Sequence, residues 1–177
     1  MSDIIDKIHA DHRRFSALLA RLEEQIDVFA RGERPDFELV RDIVDFLRVW
    51  PARCHHPREE ALLQMLERKA PEALHETGDL RREHERLAAQ LSNVADGLTS
   101  ILMEVEIARD TFVAMARNFI ARQKDHLAVE ETVMLPLARK WLPKKELERL
   151  VDEVELPEEC HSLKRYERLL EAAGTDG

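Results

Sequence analysis

HHPREEALL at residues 55–63 returns later in the chain as HLAVEETVM at residues 126–134. In each copy a His is followed four residues on by a Glu, His55 by Glu59 and His126 by Glu130. Two further stretches, ADHRRFSALL at 10–19 and REHERLAAQL at 82–91, supply one earlier His to each copy. His12 precedes His55 by 43 residues and His84 precedes His126 by 42. One His, His, Glu set is therefore written twice in the same order. Four residues along an α-helix advance about 6 Å and turn by about 40°, so a His and a Glu at that spacing face the same side.

The residues around these sets have helical periodicity. Ile5, Ile8, His12, Phe15, Leu19, Leu22 and Ile26 form one stripe that runs out near Arg31 and Gly32. A second stripe, Ile43, Leu47, Pro51, His55, Glu59, Leu62 and Leu66, opens at Asp36 after Pro35 and closes at Ala70-Pro71. After Thr77-Gly78 come Leu80, His84, Leu87, Leu91, Val94 and Leu98. The last stripe is Phe112, Ala116, Phe119, Gln123, His126, Glu130, Val133 and Leu137, its end marked by Pro136 and Leu142-Pro143. Each stripe is apolar except at the His and Glu positions and at Gln123. Such helices bury their stripes together as an antiparallel up-down-up-down four-helix bundle made of two repeated helical hairpins. The expected fold class is all-α, with the bundle over residues 1–142 and a short helical tail over 143–177, whose final GTDG frays.

Composition agrees. Charged residues are 36% of the chain and aromatics only 5%, a balance that favours solvent-washed helices over sheets. A net charge of -9, with no Lys/Arg cluster interleaved with aromatics, argues against nucleic acid as a partner. No run of about 18 apolar residues offers a membrane span, and the start MSDIIDKIHADH lacks the basic segment and apolar stretch of a secretory signal. A cytoplasmic location is expected. Cys54 and Cys160 are too few and too far apart in sequence for a disulfide framework, and a reducing compartment would leave them free.

Six donors, His12, His55, Glu59, His84, His126 and Glu130, then converge in the bundle core. Buried carboxylates without partners are costly, and a bound cation removes that cost. Two ions suit two sets of three better than one. His12 and His55 would serve one ion and His84 and His126 the other, with both Glu residues bridging and about one position per ion left for a small molecule. Mixed imidazole and carboxylate ligation suits iron, with manganese, cobalt or zinc as substitutes, and the absence of thiolates excludes an iron-sulfur cluster or structural zinc knot.

At these residues the chain resembles the hemerythrin-like, or HHE cation-binding, family. The likeness runs over about residues 4 to 142 and rests on the four stretches quoted above, in order and duplicated. It implies a non-haem di-iron four-helix bundle with the same six residues as metal ligands. Oxygen-carrying hemerythrins place a further His one turn before the third-helix ligand, where this chain has Leu80. That departure favours reaction with dioxygen or peroxide, or capture of nitric oxide, over reversible oxygen carriage. The resemblance further implies a role in stress response, sensing or scavenging, with low-turnover oxidase or peroxidase activity an open question and the protein partner unspecified.

Less specific readings stand beside this one. An iron-storage or iron-sensing module uses the same donors, and a metal-free structural interaction bundle satisfies them by hydrogen bonds. His56 and Glu60 repeat the spacing of His55 and Glu59, and Pro51 and Pro57 can shift the helix phase. The apolar stripe selects His55 and Glu59, with His56 as the alternative or as a second-layer contact. Glu131 is expected to face outward, His9 to be a surface or second-layer residue, His75 and His161 to lie on the surface, and Trp50 and Trp141 to pack at the core edge.

Overall fold

A computed structural model describes residues 3–105 and 107–174, and among these there are helices and no strands. Eight α-helices succeed one another: α1 (Ile4–Ala30), α2 (Phe37–Trp50), α3 (His56–Lys69), α4 (Leu80–Leu102), α5 (Arg109–Val129), α6 (Leu135–Trp141), α7 (Lys144–Glu153) and α8 (Glu167–Ala172). A π turn at Pro51–His55 joins α2 to α3 without a break, and another at Glu130–Met134 joins α5 to α6. The last three residues of GTDG fall outside the described residues.

Short polar side chains set the helix starts. Asp3 accepts from the Ile5 and Asp6 amides while the Asp6 carboxylate accepts from the Asp3 amide, a reciprocal box that satisfies donors the first turn leaves free. Asp36 caps α2 through the Leu39 amide and Asp79 caps α4 through the Arg82 amide. Gly32, at φ +84°, turns the chain out of α1 in a conformation that a side chain would strain.

α1 packs along α5, α5 along α4, α4 against α2, and α2 back against α1. The core inside this ring is not continuous. Phe15, Leu19, Leu47, Leu87, Leu91, Phe119 and their neighbours form one apolar cluster. Ile4, Ile5, Ile8, Leu62, Leu66, Leu80, Met134 and Leu147 form another. Each long helix or helix pair passes from one cluster to the other through its His or Glu: Ile8 to His12 to Phe15, Cys54 to His55 and Glu59 to Leu62, Leu80 to His84 to Leu87, Leu127 through Glu130 to Met134. The polar residues thus make a layer between two oily ends. Each fully buried large apolar side chain contributes roughly 1.5–3 kcal/mol, which is how the ends offset a costly middle.

Three expectations from the sequence are corrected. Beyond Glu130 the inner positions are Met134, Leu135 and Ala138 rather than Val133, which is only partly buried, because the π turn adds a residue to one turn and shifts the phase of the helix beyond it. Trp50 is buried, but Trp141 is 41% exposed beneath Lys140. The cysteines are not free thiols: Cys54 and Cys160 form a disulfide. After α7 the chain turns back and lays Glu158–His161 against the first π turn, where Arg53 pairs with Glu159, so a separation of 106 residues closes to 5.3 Å between Cα atoms. Beyond it, Tyr166 sets its edge against Phe46 at 4.7 Å and Trp50 at 5.9 Å, while Leu169 and Leu170 enter the core beside α2. At the opposite end Leu147 and Leu150 of α7 cap the second cluster against α1 and α3.

Candidate metal centre

All six donors named from the sequence meet in the polar layer. His12, His55, Glu59, His126 and Glu130 are buried, Glu59 and Glu130 completely, and His84 is partly exposed. His12 Nε2 lies 3.2 Å from His55 Nε2, and His84 Nε2 lies 3.0 Å from His126 Nε2. Two imidazole nitrogens have no reason to approach with lone pairs converging unless a proton or a cation lies between them. Metal–nitrogen bonds of about 2.1 Å put two donors at right angles about 3 Å apart, so both pairs have the spacing of neighbours on one ion.

The carboxylates connect the pairs. Glu59 turns Oε1 toward His55 Nε2 at 2.9 Å and His12 Nε2 at 3.5 Å, and Oε2 toward His84 Nε2 at 3.4 Å. Glu130 does the converse, with Oε1 3.1 Å from His126 and 3.4 Å from His84, and Oε2 3.3 Å from His12. Each carboxylate therefore offers one oxygen to each His pair. In spite of these approaches none of the four oxygens accepts a well-directed hydrogen bond, nor does His55 or His126 Nδ1 have a hydrogen-bond partner. Buried polar atoms left in this way are rare in native proteins because of the desolvation they cost. Their common aim at a shared centre is what a bound cation would satisfy, and the donor set fits one.

Charge in the layer is finely opposed. Burial favours a neutral His12, yet Glu130 and Glu59 overcome it and raise the ring to about 10. Burial is likewise overcome at His55, where Glu59 and Asp11 raise it to about 9. Glu59 is held well below the ordinary carboxylate range, against burial, by the charges of His55 and His12. Burial and the charge of Glu59 push Glu130 up, but His12, His126 and His84 bring it down to about 2. Without a cation, His12 and His55 are thus shifted toward the charged imidazolium and Glu59 and Glu130 toward the carboxylate.

Two carboxylates behind the first layer were not expected from the sequence as site residues. Asp11, buried on α1, lies 3.4 Å from His55 Nδ1 and accepts from Trp50 Nε1, Arg14 and Arg58. Glu131 does not face outward as expected: its Oε1 is 2.6 Å from His12 Nδ1, with His9 Nδ1 on the same carboxylate. The π turn starting at Glu130 lets consecutive Glu residues both reach inward, a local widening that a regular helical wheel does not show. His9 is accordingly a second-layer residue, and His75 and His161 are exposed. The only signal for Asp11 was an acidic residue adjoining His12. Outer carboxylates of this kind orient ligating imidazoles and raise their basicity. His56, the alternative to His55, is also drawn inward, and its ring stacks on that of His84 at 3.9 Å. Burial, then the charge of His84, lowers His56 to about 3. A cavity of about 260 Å³ lined by Phe15, Leu47, His56, His84, Leu91 and Phe119 leads to this side of the layer.

Fold and site define an all-helical protein built around a buried His and Glu cluster able to hold a cation. The family model described as Hemerythrin HHE cation binding domain matches residues 3–138, and the chain belongs to that family. No curated protein and no solved structure matches it. No helix among the described residues is long and apolar enough to cross a membrane.

Proposed function

We propose that the chain is a non-haem di-iron protein that binds dioxygen, nitric oxide or peroxide in stress response, sensing or scavenging. One observation carries this reading: Glu59 and Glu130 each direct one oxygen to the His12–His55 pair or its member His12 and the other toward His84 or the His84–His126 pair. Two ions sharing both carboxylates fit that division better than one ion. When bound, iron would supply the redox and small-molecule binding chemistry. The protein's residues hold the ions, and the two apolar clusters exclude bulk water from the layer between them. Manganese, cobalt or zinc would be accepted by the same donors.

In this reading the four long helical segments run up-down-up-down as two hairpins over residues 1–142, and residues 143–177 form an appended helical segment. A cytoplasmic location belongs to the same proposal, and there the Cys54–Cys160 bond would be expected to cycle with the thiol pool rather than persist.

The test is anaerobic iron loading of the full chain, followed by metal analysis and optical titration with dioxygen, nitric oxide and peroxide. Two irons per chain and new absorption bands on titration are expected. Turnover with peroxide or dioxygen would assign an oxidase or peroxidase. A change of conformation or partner affinity without turnover would assign a sensor or store, and no iron uptake would leave a structural bundle. Glu59→Ala or Glu130→Ala should release metal, and retention of both irons in either variant would contradict bridging.

A further inference from the structure

A chain with a net charge of -9 nevertheless gathers cations at one place. Between α1, α3 and the returning C-terminal segment lies a cavity of about 440 Å³, where Lys7, Arg14, Arg58 and Lys164 face only two carboxylates, Asp11 and Glu167. Arg14 and Arg58 share the single Asp11 carboxylate, one on each oxygen, and Arg14 Nε is buried without a hydrogen-bond partner. Lys7 and Lys164 are exposed and make no ion pair among the described residues. The volume is ordinary for a small-molecule site, and the surplus of positive charge selects an anion.

The wall of this cavity includes Cys160 and not its partner Cys54. Cys54 lines a separate cavity of about 270 Å³ beside Val49, Trp50 and Tyr166, where Arg53 is already paired with Glu159. A thiolate attacks a disulfide along the line of the two sulfurs, from the side away from the sulfur that leaves, so access decides which sulfur it takes. The cationic cavity gives access to Cys160 and makes Cys54 the sulfur expelled. Arg58, which donates to the Cys54 carbonyl oxygen at 2.5 Å, keeps a cation at the residue that carries the departing thiolate.

We propose that this cavity binds a small thiol bearing carboxylates, and that Cys160 is the sulfur such a thiol modifies. Its thiolate forms a bond to Cys160 Sγ as the Cys54–Cys160 bond breaks, and Cys54 leaves with the electron pair and takes a proton from solvent. A second molecule of the thiol then attacks the mixed disulfide, which leaves two protein thiols and the small thiol's own disulfide. The first step already frees Glu158–His161 from the turn that carries His55. The inference involves no metal and stands or falls apart from the two-ion reading.

The test treats the oxidised full chain with glutathione, which is anionic, with uncharged mercaptoethanol and with cationic cysteamine, each rate being corrected for the fraction of thiolate. Loss of the disulfide is followed by alkylation, and the mixed disulfide is located by mass spectrometry after acid quench. Glutathione should react fastest and cysteamine slowest, with a spread on the order of tenfold that shrinks in high salt, and the adduct should sit on Cys160. Lys7→Glu combined with Lys164→Glu should remove the advantage of glutathione while leaving the rate with mercaptoethanol unchanged, which separates lost charge from a loosened fold. An adduct on Cys54 would overturn the proposal by placing the attack in the other cavity. Equal corrected rates for the three thiols, or a glutathione advantage that survives both Lys substitutions, would overturn it as well.

Discussion

Asp11 shows how far a single side chain reaches here. It lies 3.4 Å from His55 Nδ1 while receiving hydrogen bonds from Trp50, Arg14 and Arg58, so it sets a carboxylate behind one imidazole and gathers three other groups around it. Its carboxyl is held below the ordinary range, against burial, by His55, Arg58 and Arg14. Asp11→Asn keeps the shape and removes the charge. It should lower metal affinity by about 10- to 100-fold, the usual cost of losing an outer partner of a ligating His, with little change in helix content. Chelator competition at fixed pH measures this, and a parental affinity would show that the carboxylate does not support the ligand. Asp11 was invisible as a site residue in the sequence because an Asp beside a His on an amphipathic helix is ordinarily a surface charge. The six residues that converge in the layer were legible because they interrupt largely apolar stripes and because the His, His, Glu set is written twice.

At the scale of elements the two π turns and the disulfide decide what the helical pattern leaves open. A wheel drawn through residues 112–137 assumes constant phase, so it misplaces Val133 and hides the inward turn of Glu131. Pro51, Pro57 and Pro136 flag the irregular regions without saying which way the phase moves. The partner of Cys54 was illegible for a different reason, since sequence separation sets no lower bound on distance once the chain folds back. The bond ties Glu158–His161 to the turn that carries His55. Reduction, or Cys160→Ser, should cost about 2 to 5 kcal/mol of stability, the usual range for a native disulfide. It should also open the segment after residue 155 to protease ahead of the remaining helices. Thermal denaturation and limited proteolysis with and without reductant check both, and equal cleavage patterns would show that Tyr166, Leu169 and Leu170 hold the segment unaided.

For the whole molecule, the protonated His and ionised Glu layer makes stability depend on pH in opposite ways with and without metal. His12 and His55 are raised to about 10 and about 9 from an ordinary value of 6.5. Their contribution to the metal-free fold is fully present below 6.5 and fades as pH rises through 9 to 10. Glu59 and Glu130 are lowered from 4.5, so theirs is present above 4.5 and lost as pH falls, for Glu130 through about 2. Metal binding must displace the imidazole protons and so strengthens as pH rises. The gain in melting temperature on adding metal should therefore grow from about pH 6 to about pH 9, and a gain that is flat or falls over that range would refute the protonated layer.

A belt of charge across the waist, flanked by two oily hemispheres, also changes where the metal-free molecule would come apart. Most helical proteins loosen from their extremities inward. Here the apolar clusters lie toward both poles, and six buried polar atoms of Glu59, Glu130, His55 and His126 without a hydrogen-bond partner lie at the equator. Amides of the middle turns should then exchange with solvent sooner than their distance from the helix ends suggests, and a cation entering there would act as a rivet through the plane of weakness.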